Sequence, residues 1–297
     1  MALRRRRRPR PVLSTALPPP SALELERRAW RTRRARRSTL VALASTLAFA
    51  VLAYAAVTSS PGWPRVQATF VSPSAALESL PDIARGLLVN LQVLVVGGLL
   101  VLVVGLGTAA LRTLRGPAWA PLRILATVYV DLFRGMPLII VLYLVGFGFP
   151  ALGLQGVPTS PFVLGTAAIV LVYSAYVAEV FRAGIESVHP SQRAAARSLG
   201  LTHRQTMRIV VLPQALRTVT PALLNDFVAL QKDVGLISVL GAVDAVRSAQ
   251  IEVGQSFNFT PYVVAGLLFV ALAVPSARLA DAVASRARRR QQAGNLL

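Results

Sequence analysis

The sequence predicts an all-α integral membrane protein with about six transmembrane helices. Three observations support this fold class. The chain is 54% hydrophobic and only 15% charged, whereas soluble domains usually carry about a quarter charged residues. Its apolar residues are grouped in blocks of roughly 18 residues or more, long enough to cross a bilayer as a helix. Its arginines cluster between these blocks, where they would lie at the membrane surface.

Six apolar blocks are the candidate spans. They occupy residues 39–57, 86–111, 122–149, 161–178, 219–240 and 260–277. Four of the blocks carry no charge. The third has Arg123 at its start and is interrupted by Asp131 and Arg134, and the fifth contains several polar residues. The interrupted blocks are therefore the places where a span is expected to carry function.

Arg-rich and Arg-poor connections alternate along the chain. The Arg-rich ones are the N-terminal arm, residues 112–123, residues 182–217 and residues 286–290. The Arg-poor ones are residues 58–85, 150–160 and 241–259. Because cytoplasmic loops retain positive charge, this alternation predicts that both termini and the 182–217 insert lie in the cytoplasm. The chain is then a multi-pass protein of the cytoplasmic (plasma) membrane, in contact with its lipids.

The N-terminal region has its own composition. Residues 1–37 are rich in Arg and Pro, which predicts a disordered basic cytoplasmic arm. Residues 38–58 would form an extra transmembrane helix, although the apolar run before Ala53, Tyr54 and Ala55 also resembles a signal peptide with its cleavage site. The length of the arm favours retention of this helix. Residues 286–297 are predicted to be a basic cytoplasmic tail.

Several function classes lack the residues they require. The net charge of +20 is better explained by arginines that flank membrane spans than by nucleic-acid binding. The chain has no cysteine, no G-x-S-x-G and only two histidines, so neither a catalytic centre nor a metal site is predicted. Lys232 is the single lysine and follows Gln231, which excludes a phosphate-binding loop that ends in Gly-Lys. No cofactor is expected in this chain.

A basic, well-capped insert, residues 191–214, lies between two spans. Ser191 is expected to cap a first helix, and Gly200 to end that helix in the left-handed conformation. Thr202, followed by Gln205, predicts a capping box for a second helix that runs to about Pro213. On these facts alone, a solvated loop at the membrane surface remains an alternative.

The insert resembles the cytoplasmic loop of importer-type ABC permeases. That loop has the signature Glu-Ala-Ala, three residues, Gly, nine residues, Ile, then Leu-Pro. The residues that fill the frame are Ala195, Ala196, Gly200, Ile209 or Val210, Leu212 and Pro213. The stretches YVDLFRGMPLIIVLYLVGFGFP, YVAEVFRAGIESV and LPQALRTVTPALLNDFVALQKDVGLISVL resemble the polar amino-acid branch. The similarity covers residues 80–285 and implies a MetI-like transmembrane domain of five spans.

The resemblance also implies that the insert is a coupling helix that docks on a separate ATPase subunit. Its residues would be Ser191, Ala194, Ala195, Ala196, Gly200, Leu201, Leu212 and Pro213. The family glutamate falls at Ala194 in this chain. We expect its absence to remove a capping-box partner of Ser191 and one acidic contact to the ATPase, and the effect on coupling is left open.

Polar residues inside two spans are the predicted translocation path or gate. They are Asn225, Asp226, Lys232, Asp233, Arg134 and Pro137. An ionisable group at the bilayer centre costs about 2.5–3.5 kcal/mol on insertion scales, so such groups usually have a function. Spacing by seven residues places Asn225 with Lys232, and Asp226 with Asp233, on one helical face each. A mutually compensating structural pair is the alternative, and Pro137 is expected to break its helix.

The resemblance implies the permease subunit of a binding-protein-dependent ABC importer for polar amino acids. Two permease subunits, identical or different, would form the path between them. Two ATPase subunits would use ATP and Mg²⁺, and an extracytoplasmic solute-binding protein would deliver the amino acid. The alternatives are the same architecture with another small solute, or a stand-alone ion-coupled carrier.

Overall fold

The structure is a computed structural model that describes residues 21–114, 116–156 and 158–294. The described residues form helices and no strand. The α-helices are α1 (Ala22–Thr58), α2 (Trp63–Phe70), α3 (Pro73–Thr113), α4 (Ala120–Gly135), α5 (Leu138–Ala151), α6 (Pro161–Glu186), α7 (Pro190–Ser198), α8 (His203–Gln205), α9 (Leu212–Asp233), α10 (Ala245–Ser256) and α11 (Thr260–Gly294). Two 3₁₀ segments (Pro117–Trp119 and Val234–Leu240) and a π-helical turn (Thr206–Val211) complete the described secondary structure.

Helix α1 belongs to a separate N-terminal unit, which ends at Pro64. Its first turn is capped by Ser21, whose Oγ accepts a hydrogen bond of 3.3 Å from the Glu24 amide. Residues 22–37, expected to belong to a disordered arm, instead form the first turns of α1. The reason is that Ala, Leu, Glu and Arg favour helix, and extending an existing helix needs no new nucleus. Residues 1–20 lie outside the described part of the chain.

The described helices agree with six spans. Four helical segments are long and apolar enough to cross a membrane, namely Ala22–Thr58, Trp63–Thr113 (α2 with α3), Pro161–Glu186 and Thr260–Arg286. Two bent pairs, Pro117–Gly135 with Leu138–Ala151 and His203–Leu240 with Ala245–Ser256, raise the number to six if each pair is one span. The two bent pairs are the two blocks in which the sequence places polar residues.

Helix α6 forms the centre of the second unit, residues 65–297, and packs against α3, α4, α5 and α9. Its small residues Ala168, Ala175 and Ala178 are completely buried. Across from them, a Cβ on Gly105 of α3 would lie 2.7 Å from the Val177 Cγ1. The absence of a side chain at Gly105 therefore permits close packing of α3 against α6, whereas a Cβ on Gly107 of the same helix would meet no described atom within 4 Å.

The break between α4 and α5 lies where Pro137 predicts it. Helix α4 ends at Gly135, Met136 is extended (φ −98°, ψ 137°), and α5 begins at Leu138. The two helices are bent by 109° relative to each other. A residue before proline is biased away from the helical region, which explains why the turn occurs at Met136.

Helix α10 is fixed to α3 by a buried polar contact. The Asn90 Nδ2 donates to the Asp244 Oδ2 at 2.8 Å and to the Val234 carbonyl at 3.1 Å. The Ala245 amide donates to the Asn90 Oδ1 at 3.1 Å, and the Arg247 amide to the Asp244 Oδ1 at 2.8 Å. Asp244 therefore caps α10 while it receives a side chain from α3.

The C-terminal tail is helical as far as it is described. Helix α11 runs to Gly294, whereas the candidate span ends at Arg286. The described part of the predicted tail therefore continues the last helix beyond the span. Residues 295–297 lie outside the described part of the chain. At the other end of α11, the Phe259 amide donates to the Thr69 carbonyl at 2.7 Å, which ties the end of α2 to the start of α11.

Candidate functional site

The first helix of the insert begins two residues earlier than expected. His189 is the N-cap of α7, and its Nδ1 accepts a hydrogen bond of 3.2 Å from the Ser191 amide. Pro190 is the first helical residue, a position that suits proline because its missing amide would be unpaired there. The prediction that Ser191 caps the helix is therefore wrong. Ala194 is the fifth residue of α7, so a glutamate there could not close a capping box with Ser191.

The end of α7 confirms the predicted glycine stop. Gly200 has φ +82°, a left-handed conformation that favours glycine. Its amide donates to the Arg197 carbonyl at 3.0 Å, and the Leu201 amide donates to the Ala196 carbonyl at 3.2 Å. These two bonds are the Schellman motif, which reverses the chain after α7. Ala196 is buried beneath this turn, whereas Ala194 and Ala195 are exposed.

In the second half of the insert, the predicted helix start is correct, whereas the predicted helix end is wrong. The Gln205 amide donates to the Thr202 Oγ1 at 3.3 Å, and the Thr202 amide to the Gln205 Oε1 at 2.8 Å. This pair is the expected capping box. The helix does not stop near Pro213, because the π-helical turn Thr206–Val211 leads directly into α9 at Leu212. The wider turn accommodates Pro213, whose ring would clash with the carbonyl four residues back in a regular α-helix.

A cavity of about 500 Å³ lies between α3, α6 and α9. Most of its lining is aliphatic, and its polar groups come from Tyr173, Thr220 and Asp226. The Asp226 Oδ2 is buried and has no hydrogen-bond partner among the described residues. A carboxylate oxygen without a donor is unusual, so Asp226 is available to a polar group that enters this cavity.

The two aspartates of α9 share a face, as their spacing predicts. Asp226 and Asp233 are both partly buried, and the Tyr173 hydroxyl donates to the Asp233 Oδ2 at 2.7 Å. Asn225 and Lys232 are both exposed. Within the described part of the chain, Lys232 has no carboxylate within 4.0 Å. The structure therefore gathers Asp226 and Asp233 around Tyr173 but leaves Asn225 and Lys232 apart from them.

Arg134, at the end of α4, is connected to Asp233 through two tyrosines. Its Cζ lies 5.9 Å from the centre of the Tyr176 ring, and its carbonyl accepts a hydrogen bond of 3.4 Å from the Tyr176 hydroxyl. The Tyr176 ring lies 6.2 Å from that of Tyr173, which bonds Asp233. Neither tyrosine is among the residues predicted from sequence. Their spacing of three on α6, one turn before Glu179, is the signal that could have identified them.

Glu179, one turn after Tyr176 on α6, joins three helices. Its Oε2 lies 2.7 Å from the Arg112 Nη1 of α3, and it also pairs with Arg182. The Arg134 Nη1 lies 3.9 Å from its Oε1. The side chain of Arg112 is only 12% exposed, so this pair is more strongly held than a surface ion pair. The break after α4 is thus attached to the same helix that carries the two tyrosines.

Comparison with known proteins places the chain in one family. Residues 119–289 match the family described as "Binding-protein-dependent transport system inner membrane component". The arginine transport system permease protein ArtQ of Bacillus subtilis is 33% identical over 202 residues, which are 67% of this chain and 89% of that protein. The probable glutamine ABC transporter permease protein GlnM of the same organism is 35% identical over 167 residues, 56% of this chain and 76% of that protein.

A solved structure shares the fold, with a sequence identity similar to that of the relatives named above. The crystal structure of an amino acid ABC transporter with histidines superposes with a TM-score of 0.65 and 32% identity, over 71% of this chain and 96% of that chain. The family match covers more than half of the chain, and ArtQ is matched over most of its length. This chain therefore belongs to the binding-protein-dependent transport system inner membrane components and is, as its motifs predict, the membrane-spanning permease of an ABC importer and not an enzyme.

Proposed function

We propose that this permease imports polar amino acids across the cytoplasmic membrane by alternating access. The observation that carries the proposal is the cavity between α3, α6 and α9, in which the unpaired Oδ2 of Asp226 lies in a mostly aliphatic lining. An amino acid carries an ammonium group that a carboxylate can bind. The attraction between these two charges is stronger in an apolar cavity than in water. The names of relatives with arginine and glutamine as cargo support this substrate class.

The path residues divide into a contact group and a gate group. Asp226 would contact the substrate directly, since it lines the cavity. Arg134, Tyr176, Tyr173 and Asp233 connect the break before Pro137 to the end of α9, so they would move together when the path opens. Asn225 and Lys232, exposed on the other face of α9, would face a second permease subunit, identical or different.

The energy would come from two separate ATPase subunits that use ATP and Mg²⁺. The insert with Ser191, Ala194, Ala195, Ala196, Gly200 and Leu201 would dock on one of them. The alternation of arginines supports a cytoplasmic location for the insert and for both termini. Because Leu212 and Pro213 continue without a break into α9, a displacement of the docked loop would pass directly to Asp226 and Asp233. An extracytoplasmic solute-binding protein would deliver the amino acid from the other side.

Reconstitution tests this function. The permease, its ATPase and a solute-binding protein are placed in proteoliposomes, and the uptake of labelled arginine, glutamine, histidine and a neutral sugar is measured. We expect ATP-dependent uptake of one or more of the amino acids only when the binding protein is present. Uptake of the sugar alone, or uptake driven by an ion gradient without ATP, would exclude the proposed function.

The variant Asp226→Asn tests the role of the cavity carboxylate. It should weaken uptake of a cationic amino acid, with Asp82→Asn as a control on an exposed acid.

A further inference from the structure

A cleft of about 230 Å³ opens on the insert between α7 and the π-helical turn. Its lining residues are Arg193, Ala194, Arg197, His203, Thr206, Met207 and Val211. Two of its hydrogen-bond donors are buried and have no acceptor within the described part of the chain, namely the Arg193 Nε and the Thr206 Oγ1. Thr206 is only 3% exposed, so bulk water has little access to its hydroxyl. Buried donors are nearly always paired in native proteins, so this cleft is short of an acceptor.

The chain cannot easily supply the acceptor from nearby. Residues 187–225 contain five arginines and two histidines but no aspartate or glutamate. Arg193 already donates through Nη2 to the Ile185 carbonyl, which holds its guanidinium at the cleft. A preference for basic residues on the cytoplasmic side explains exposed arginines such as Arg204 and Arg208. It does not explain buried donors that face a cleft without an acceptor.

We propose that this cleft receives the carboxylate of an aspartate or glutamate from the ATPase subunit. The inference rests on the proposed function, which makes the insert the ATPase-docking loop. Ala194 lies on the rim and is exposed, and its methyl group leaves the cleft open to a partner side chain. The partner's carboxylate would accept hydrogen bonds from the Arg193 Nε and the Thr206 hydroxyl, and it would lie near Arg197 and His203. Charge-assisted bonds of this kind are short and directional, so they fix the register of docking.

The position of Ala194 gives the proposal a sharp test. A glutamate there would place an internal carboxylate at the same donors, so it would compete with the partner's acid. We therefore expect Ala194→Glu to weaken the affinity of the full-length permease in nanodiscs for its ATPase subunit by about tenfold. Ala194→Gln, nearly the same in size but without the charge, should change the affinity much less. Wild-type affinity should also fall as the salt concentration rises.

A second pair of variants tests the donor without adding a charge. Thr206→Val keeps the shape of the side chain and removes its hydroxyl. The melting temperature of the isolated permease should stay equal or rise, because an unpaired buried donor is lost, while affinity for the ATPase should fall several-fold. Thr218→Val is the matched control, since Thr218 is exposed and its hydroxyl bonds the Gln214 carbonyl at 3.2 Å.

The possible outcomes separate the two proposals. If the wild-type permease binds no ATPase subunit, the proposed function fails. If it binds and all four variants bind equally well, or if Ala194→Glu binds more tightly, only the acidic contact is refuted. If millimolar inorganic phosphate raises the melting temperature of the isolated permease, and Ala194→Glu abolishes this effect without changing ATPase affinity, the cleft binds a free anion and the partner carboxylate is excluded.

Discussion

The side chains of Asn90 and Asp244 form a pair, 2.8 Å apart, that is almost completely excluded from solvent. The pair connects α3 to the start of α10, across 154 positions of sequence. Through the Val234 carbonyl, Asn90 also holds the 3₁₀ segment that follows Asp233. One asparagine thus anchors both sides of the bend in the fifth span.

Loss of this pair should destabilise the permease. Asp244→Ala removes the cap of α10 and leaves the Asn90 amide without one of its acceptors, so we expect a loss of about 1–3 kcal/mol. Thermal unfolding in detergent, together with hydrogen exchange of Ala245–Ser256, measures the effect. Asp82→Asn is the control, because Asp82 pairs with Arg85 on the surface, where an ion pair contributes little. Equal stability of both variants would contradict an anchoring role for Asn90 and Asp244.

Gly86 should tolerate no side chain. A Cβ on this residue of α3 would lie 2.4 Å from the Asp244 backbone carbon, so Gly86→Ala would push α10 away from α3. Overpacking of this kind costs about 1–3 kcal/mol. Gly107→Ala on the same helix meets no atom within 4 Å and should be neutral or stabilising, since alanine favours helix more than glycine. The melting temperatures of the two variants measure these effects. A drop of the same size in both would refute the argument that the close approach of α3 and α10 requires glycine at position 86.

These contacts also show what a sequence can and cannot reveal. The spans and the α4–α5 break were predictable, because a long apolar run and the restriction before Pro137 act locally. The partner of Asn90 was not, because nothing near residue 90 indicates which residue 154 positions away will meet it. The same holds for Tyr173 and Asp233, whose contact depends on how α6 and α9 pack.

The insert shows that the start of a helix is harder to predict from sequence than its existence. Gly200 and the capping box of Thr202 were predicted correctly, since each depends on one residue's conformational preference. The first cap was assigned to Ser191 because serine is a strong capping residue. His189 provides the acceptor instead, and Pro190 takes the first helical position. A shift of two residues at a helix start is small, yet it changes what Ala194 can contact.

The hydroxyl of Tyr173 should matter for transport. Tyr173→Phe keeps the buried ring but removes the hydrogen bond of 2.7 Å to Asp233, where α9 ends and the 3₁₀ segment begins. A hydrogen bond to a charged group contributes about 1.5–3 kcal/mol, so uptake should fall by roughly tenfold or more. Tyr143→Phe, on an exposed ring of α5, is the control. If both variants transport at the wild-type rate, Tyr173 has no part in the gate.

Gly200 should control how well the permease binds its ATPase subunit. Its φ of +82° costs a residue with a Cβ about 1–2 kcal/mol, and a Cβ there would meet no atom within 4 Å. Any effect of substitution therefore comes from the backbone and not from a clash. Asparagine adopts this conformation more readily than valine, so ATPase affinity should decrease in the order Gly, Gly200→Asn, Gly200→Val. Affinities measured on the full-length permease in nanodiscs test this order. Equal binding by the asparagine and valine variants would show that the turn after α7 does not position the docking surface.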